Sequence, residues 1–402
     1  MSLVLVTQAG PVATLTLNRP ERHNSLVPEF LRDLLDAIEQ VATAPDVRAV
    51  VLQANGSSFS TGGDAGGFVR HSDDIAAYAQ EIVGLLNDAI LALIDLPVPL
   101  VACVQGPLTG GALGLVLAAD MMLVASEASF TPYYSVIGPS PDGGWTAMLP
   151  AVIGRNRAAA VLMLNETISA EQAVEWGMAY QVIPGDSIRN EAQRLARTLA
   201  GRKPGSIRHT RQLLNANRDR IAEALAAELE HFVEHIVTDE AAGGFATFVA
   251  NLRSMKGLHE GQRTSLTRTF TQADLTEYRE LSGDDGLGFG RSYDPETVPG
   301  PLIAGLFSTL LGTDLPGRGT NWLKQTLAFS RPAYVNEPVI ATVEITRLRP
   351  ENTLVNLRTV CRNPSGDLIC EGDALVMVRD RAVQSSPLGK PSPNRHAEVP
   401  MA

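Results

Sequence analysis

The sequence predicts an α/β domain followed by a smaller α+β domain, on three observations. Up to about residue 250, short apolar strands alternate with amphipathic helices. Two of those strands run directly into glycine-rich stretches, Phe59-Ser60-Thr61-Gly62-Gly63-Asp64 and Gly106-Pro107-Leu108-Thr109-Gly110-Gly111-Ala112. Beyond residue 261 the pattern changes to one apolar helix and a series of long strands. The chain has 402 residues, and a single core stops growing beyond roughly 250 to 300 residues, so two domains are the expected count.

In chain order, Val12 to Leu17 reads as a strand, and Pro28 to Val41 as a helix with Phe30, Leu31, Leu34, Leu35 and Ile38 on one face. A strand through Leu52, a long helix from about Asp73 to Ile94, and a strand through Val104 follow. Pro99 limits the start of that last strand. Leu113 to Ala119 suits a buried helix and Met121 to Ala125 another strand. From Ala158 to Ala246 helix follows helix, a segment expected to cover one edge of the sheet or a neighbouring subunit. The predicted divisions are a first domain at 1–255, with a helical cap at about 195–255, a second at 262–380, and a proline- and serine-rich tail at 381–402. In the second domain Thr264 to Phe270 is a strand, and Thr271 to Asp274 forms a capping box opening a helix to Leu281. Pro301 to Leu311 is a buried helix. Leu323 to Phe329, Pro338 to Leu348, Leu354 to Arg362 and Leu368 to Val378 are strands.

Bulk properties narrow the function. With 45% apolar and 19% charged residues the mixture is that of an ordinary globular protein. A net charge of −11 disfavours a general nucleic-acid surface. No apolar run approaches the roughly 20 residues of a membrane span. The start, Met1 to Val6, has neither a basic segment nor a cleavage site, so the expected location is cytoplasmic. Cys103, Cys361 and Cys370 are too sparse for a disulfide framework or a metal site. Cys103 reads as core, and Cys361 and Cys370 flank a hairpin turn that would let them face one another reduced. His231 and His235 lie four apart near Glu228, a spacing that superficially suggests a metal face; a surface helix explains it better, and no metal is expected. Walker and dinucleotide fingerprints are absent, and Gly286 to Gly290 only superficially imitates one.

Glycine is required where backbone approaches a ligand closely or takes positive φ. Two strand ends facing one another would offer a pair of amide donors to a developing oxyanion; two tight strand-to-helix turns explain the same glycines. The surrounding motifs add a resemblance. Leu17-Asn18-Arg19-Pro20-Glu21-Arg22-His23-Asn24-Ser25-Leu26, the two glycine stretches, and Asn165 to Ala173 with Trp176-Gly177-Met178 are similar to the enoyl-CoA hydratase/isomerase (crotonase) superfamily over about residues 3 to 255. That resemblance implies a ββα-repeat spiral, with the N–H groups of Gly63 and Gly111 binding a thioester oxygen. Each such donor is worth about 3 kcal/mol in other systems, and the helix opening near Gly111 is expected to add its dipole. Arg19 and Arg22 are candidate contacts for coenzyme A phosphates, or ordinary solvated surface.

An oxyanion hole does not choose the reaction. Hydratases of the superfamily carry glutamates where this chain has Gly114 and Tyr134, so two-carboxylate hydration is not supported. Asp142 remains, in Gly138 to Trp145. An Asx turn or helix cap is its plain structural explanation, but the segment resembles the isomerase-like members, whose single acid stands here. Asp64 is expected to cap the next helix, Asp120 to make a structural hydrogen bond, and Glu127 to be solvated. Tyr134, beside Tyr133, supplies either a hydroxyl or an aromatic wall.

Leu281 to Asp285, the apolar helix after Gly300, and Leu323 to Pro332 resemble a MaoC-type hot-dog domain. Asp284 matches that family's aspartate, but Phe289 stands in place of its histidine, and Gly286 and Leu287 replace the usual asparagine and proline. The seven histidines, His23, His71, His209, His231, His235, His259 and His396, all lie outside this core. The domain then serves dimerisation, acyl-CoA or acyl-carrier contact, or shaping of the first site. The resulting expectation is an enoyl-CoA isomerase using Gly63, Gly111 and Asp142, with coenzyme A as part of the substrate and no tightly bound cofactor. The rivals are thioester hydrolysis through Asp142, a non-catalytic acyl-CoA scaffold, and hydration through Asp284. The resemblances imply a homo-oligomer, a trimer or hexamer; Phe68, Trp145 and the tyrosines would permit an aromatic or branched acyl group.

Overall fold

The computed structural model describes residues 2–284 and 296–378. They divide into two compact units, Met1–Val249 and Ala250–Ala402. In the first unit, β1 (Val4–Ala9), β2 (Val12–Leu17), β3 (Ala49–Ala54), β4 (Leu100–Val104), β6 (Met121–Ala125) and β9 (Gln181–Ile183) form one sheet in that order. Only the β1–β2 pair is antiparallel. A second small sheet joins β5 (Pro107–Thr109), β7 (Ser129–Thr131) and β8 (Ile168–Ser169).

Parallel strands are covered on both faces and so read as continuous apolar runs. Leu15, Leu17, Val50, Leu52, Ala102 and Val104 point into the main core with the helices α1 (Pro28–Thr43) and, after the short α2 (Ala65–Arg70), α3 (Ile75–Ile94). The alternate residues Val12, Ala49, Val51, Val101, Cys103 and Leu123 point the other way. By length and composition alone the span Ser72–Ile94 is apolar enough to cross a bilayer. Its Ala79, Ile82, Val83, Leu86, Ala89, Ile90 and Leu93 are instead buried in the core of this unit.

After α4 (Leu113–Leu117) and α5 (Tyr134–Ile137) come α6 (Leu149–Ile153), α7 (Arg155–Leu164), α8 (Ala170–Glu175), α9 (Ile188–Ala200), α10 (Pro204–Leu214), α11 (Arg218–Ile236) and α12 (Asp239–Ser254). The helical stretch expected from Ala158 is thus interrupted by β8 and β9, and β9 extends the sheet beside β6. Contrary to the expected edge packing, α9 covers a sheet face, with Ile188, Ala192, Ala196 and Ala200 against Val51, Val101 and Cys103. Strands of two and three residues are too short for a period-2 signal to stand out among helices.

The second unit is sheet-rich. β10 (Arg263–Thr269), β11 (Thr320–Gln325), β12 (Ala328–Phe329), β13 (Pro338–Arg349), β14 (Leu354–Arg362) and β15 (Leu368–Val378) form an antiparallel sheet, ordered β10-β13-β14-β15-β11, with β12 also on β15. The Thr271–Asp274 capping box opens α13 (Gln272–Ser282). The apolar helix α14 (Gly300–Thr309) buries Ile303, Leu306 and Phe307 in a core shared with Val343, Leu357 and Val376. Cys361 and Cys370 stand opposite one another on β14 and β15, buried and reduced. The expected strand Leu323 to Phe329 is broken between β11 and β12. There Thr326 N–H turns to the Asp373 carbonyl at 2.9 Å, and the Thr326 carbonyl lies against Gly372, where no side chain would fit. Residues 285–295 and 379–402, hence Gly286, Leu287, Phe289 and the expected tail, lie outside the described residues.

One buried cation ties α10 to the sheet unit. Arg211, only 6% exposed, donates to Asp120 Oδ2 at 2.8 Å and to the carbonyls of Leu93 (2.8 Å), Ile94 (2.6 Å) and Leu96. Asp120 also accepts from Leu100 N at 2.8 Å, the structural hydrogen bond expected of it. Removing one partner of a buried pair strands the other. Arg211→Ala should therefore lower unfolding free energy by about 3–5 kcal/mol, read as a drop in the urea midpoint.

Candidate active site

The two glycine-rich turns lie side by side. Phe59 N donates to Pro107 O at 3.0 Å and Thr109 N to Ser60 O at 3.0 Å. Gly62 has φ +70°, and a β-carbon there would sit 2.6 Å from Thr109 O and 3.1 Å from Gly110 Cα. Only glycine satisfies both the conformation and the space. The first turn is anchored to the segment before α1, with Leu26 N on Gly62 O at 2.7 Å and Asp64 N on Leu26 O at 2.9 Å.

Gly63 and Gly111 have no positive φ; room decides there. A β-carbon on Gly63 would lie 3.2 Å from the Phe68 ring. One on Gly111 would lie 2.8 Å from Leu86 Cδ2 and 3.0 and 3.2 Å from the two carboxylate oxygens of Asp142. The Asp142 carboxylate thus rests directly over the second turn. The helix following Gly111 is α4, only five residues long. Its dipole is correspondingly smaller than the sequence suggested.

The loop carrying Asp142 is docked on that turn by backbone. Gly114 N donates to Gly143 O at 2.8 Å, and Trp145 Nε1 to Gly110 O at 2.7 Å. Gly143 has φ +60°, and a β-carbon on it would lie 2.6 Å from the Gly111 carbonyl carbon. The same contact closes position 114. A β-carbon there would lie 2.6 Å from Gly143 O and would collide with Ile90, so a glutamate does not fit this backbone.

Asp142 is 7% exposed and caps no helix; its Oδ1 accepts a short hydrogen bond from Tyr134 Oη, which also reaches the Asp142 carbonyl at 3.2 Å. Burial raises the Asp142 carboxyl to about 7, the Tyr134 hydrogen bond opposes that rise, and the Glu228 charge adds to it. Burial, with the Asp142 charge, pushes the Tyr134 phenol well up, so it remains a donor. Of the two alternatives for Tyr134, the structure gives the hydroxyl, directed at Asp142.

Glu228 escapes the sequence reading. It lies on the buried stripe Leu225, Glu228, Phe232, Ile236 of α11. Its carboxylate accepts from Gly144 N (2.8 Å), Thr146 N (2.7 Å), Thr146 Oγ1 (2.6 Å) and Ala147 N (2.8 Å). A charge at a helical core position was the available signal. Glu228 turns inward, and among the described residues no cluster of three or more His, Cys, Asp or Glu side chains is arranged to hold a metal.

Asp64 accepts from Gly66 N at 3.0 Å, capping α2 as expected. Burial raises its carboxyl, but the hydrogen bond from Arg22 and the charges of Arg22, Arg70 and Arg19 outweigh that and hold it below the ordinary range. Arg19, Arg22 and Arg70 approach it at 3.6, 3.2 and 3.7 Å, so both predicted phosphate contacts lie beside the first turn. Arg19 also donates to Ser25 O at 2.8 Å. Glu127 is exposed. In the second unit Asp284 is exposed just past α13 and accepts from Tyr278 Oη at 3.1 Å. Phe68 stacks on Phe245 at 4.6 Å between centroids and meets Tyr78 edge-on at 5.1 Å, forming an aromatic wall beside Gly63.

The family model for enoyl-CoA hydratase/isomerase matches residues 7–255. The 1,2-epoxyphenylacetyl-CoA isomerase of Escherichia coli (strain K12) is 34% identical over 219 residues, 54% of this chain and 83% of that protein. A probable enoyl-CoA hydratase of Mycobacterium tuberculosis (strain H37Rv) is 35% identical over 236 residues, 57% of this chain and 82% of its own length. Among solved structures, an enoyl-CoA hydratase from Mycobacterium avium subsp. paratuberculosis superposes with a TM-score of 0.56 at 30% identity, covering 61% of this chain and 98% of that one.

The raised Asp142 carboxyl has a consequence for stability. The native state holds this proton up to about 7, while the unfolded chain releases it near 3.8, so the contribution is present below the lower value and is lost as pH rises between the two. Each unit of separation costs about 1.4 kcal/mol. Asp142→Asn, which still accepts from Tyr134, should raise the melting temperature clearly above pH 8 and little at pH 4, measured by calorimetry across that range.

Proposed function

The chain belongs to the enoyl-CoA hydratase/isomerase family, and on that premise we propose that its first domain is an enoyl-CoA isomerase. It would move a double bond into conjugation with a thioester through an enolate. The observation that carries this reading is the single carboxylate of Asp142 seated over Gly111, with position 114 closed by Gly143 and position 134 occupied by a tyrosine that holds Asp142. Hydration needs two carboxylates to position and activate water; moving one proton needs one.

In this mechanism the thioester oxygen of a 3-enoyl substrate accepts hydrogen bonds from Gly63 N and Gly111 N. Asp142 takes a proton from C2, the C–H electrons pass into the dienolate, and the charge settles on the oxygen held by the two amides. Asp142 then returns the proton to C4, leaving the double bond between C2 and C3. A carboxyl near 7 suits both halves, since it accepts and gives up the proton with little bias. Tyr134 occupies Oδ1, which leaves Oδ2 to meet substrate.

Arg19, Arg22 and Arg70 share one carboxylate, so the cluster keeps surplus positive charge for the phosphates of coenzyme A. The second domain, read as hot-dog-type, supports assembly or acyl contact rather than chemistry; the exposure of Asp284 favours this over hydration. A homo-oligomer belongs to the same reading.

Offering 3-enoyl-, 2-enoyl- and saturated acyl-CoA, and following conjugation, water uptake and free thiol, separates isomerase from hydratase and hydrolase. Conjugation alone is expected, with kcat/KM rising through an acid limb near pH 7 because the base acts deprotonated. Asp142→Asn should lower kcat by about 100- to 10,000-fold; unchanged turnover would remove Asp142 as base. Tyr134→Phe deletes a hydrogen bond that favours the carboxylate, so the acid limb should move to higher pH.

A further inference from the structure

We propose that Glu228 is a positioning residue for the Asp142 base: from helix α11 it seats the loop that carries Asp142 against Gly111. This rests on the isomerase reading and extends it to a residue that never meets substrate. Gly144 N donates to one carboxylate oxygen, while Thr146 N, Thr146 Oγ1 and Ala147 N donate to the other. Their distances, 2.6 to 2.8 Å, are those of charge-assisted hydrogen bonds. The donors begin two residues beyond Asp142, and Gly143 between them lies on the Gly111 backbone. The loop is therefore clamped from both sides, by the glycine turn beneath and by α11 above.

A carboxylate at a helical core position is costly unless its lone pairs are satisfied. Leucine there would pack with Leu225 and Phe232 but would leave the amides of residues 144, 146 and 147 without their acceptor. Glu228 thus converts a glycine-containing loop into a rigid support, the condition for holding a base where a proton must be taken. Its charge also acts on Asp142. Two carboxylates in one buried region repel, and the deprotonated Asp142 is the form that suffers. The side chains that act on the Asp142 charge are the Tyr134 hydroxyl, by its hydrogen bond, and Glu228, by its charge. Those around Glu228 are Thr146 and, along a cavity of about 760 Å³ beside α11, His231, Glu234 and His235.

The test compares Glu228→Gln, Glu228→Asp and Asp142→Asn in the full chain. Turnover of a 3-enoyl-CoA is followed against pH, and the Asp142 carboxyl is titrated directly by infrared difference against Asp142→Asn. Glu228→Gln removes the repelling charge and one acceptor. Both the titration midpoint and the acid limb should move down by about one pH unit, with kcat falling about 10-fold and KM changing less than about 3-fold. A loop that merely loosens also admits water to Asp142 and lowers the midpoint, but it does so in Glu228→Asp as well, where the charge is kept. Glu228→Asp keeps the charge but shortens the reach to Gly144, so kcat should fall while the midpoint stays. This variant carries the test if Glu228→Gln does not fold, and wild-type kcat in it overturns the proposal. His231→Gln should leave the midpoint in place; a shift equal to that of Glu228→Gln would assign the effect to the cavity wall and overturn it. Midpoint and kcat unchanged in Glu228→Gln, with Asp142→Asn inactive, overturn the Glu228 role alone. Full turnover in Asp142→Asn removes Asp142 as the base and with it the role of Glu228, whereas no conjugation of a 3-enoyl-CoA by the wild-type protein overturns the isomerase reading itself.

Discussion

Backbone meets backbone at two points in this site, and the other features depend on there being no β-carbon at either. Gly62 rests on Thr109 and Gly110, and Gly143 rests on Gly111. The first contact sets the two glycine turns side by side, Gly63 in one and Gly111 in the other. The second places the Asp142 carboxylate over Gly111 and, in the same stroke, denies position 114 to a side chain. A set of close approaches therefore joins the two turns and restricts which side chains stand beside them.

Close packing of this kind excludes water, which raises the cost of every charge inside and makes its partners decisive. Asp142 has one phenolic hydroxyl as donor and stays high in proton affinity. Glu228 has four donors working against its desolvation, which still raises its carboxyl. Arg211 has a carboxylate and three carbonyls. Asp64 is outnumbered by arginines and held low. These carboxylates have different environments and different proton affinities. Only Asp142 combines a value near neutrality with a position at the glycine turn.

Much of this was legible in the sequence because it is local. The strands announced themselves as apolar runs, and Gly63 and Gly111 by glycines just past strand ends. Asp142 stood out by the absence of acids at 114 and 134, and the cap at Asp64 by its place before a helix. What escaped was non-local. Tyr134 looked equally like a wall or a donor, since the path of the seven residues between it and Asp142 decides what its hydroxyl meets. Glu228 stood beside His231 and His235 as part of a superficial metal face on a surface helix until the Leu225, Phe232 and Ile236 face was seen to be buried. The short strands β8 and β9 were lost in a helical stretch because pairing with β7 and β6, not their own pattern, makes them strands.

The sequence by itself determined the order of elements, the two turns that only glycine can make, the family, and the identity of the single acid in the loop after β7. The tertiary structure decided the proton affinity of that acid and the inward aim of Glu228. The division has a physical reason. A turn is fixed by φ, ψ and the presence or absence of a β-carbon, all properties of a few consecutive residues. The free energy of a buried carboxylate is fixed by how much water is removed from it and which dipoles replace that water. Here the donor to Asp142 comes from α5, and the donors of the loop after it go to Glu228, on a helix more than eighty positions further along the chain.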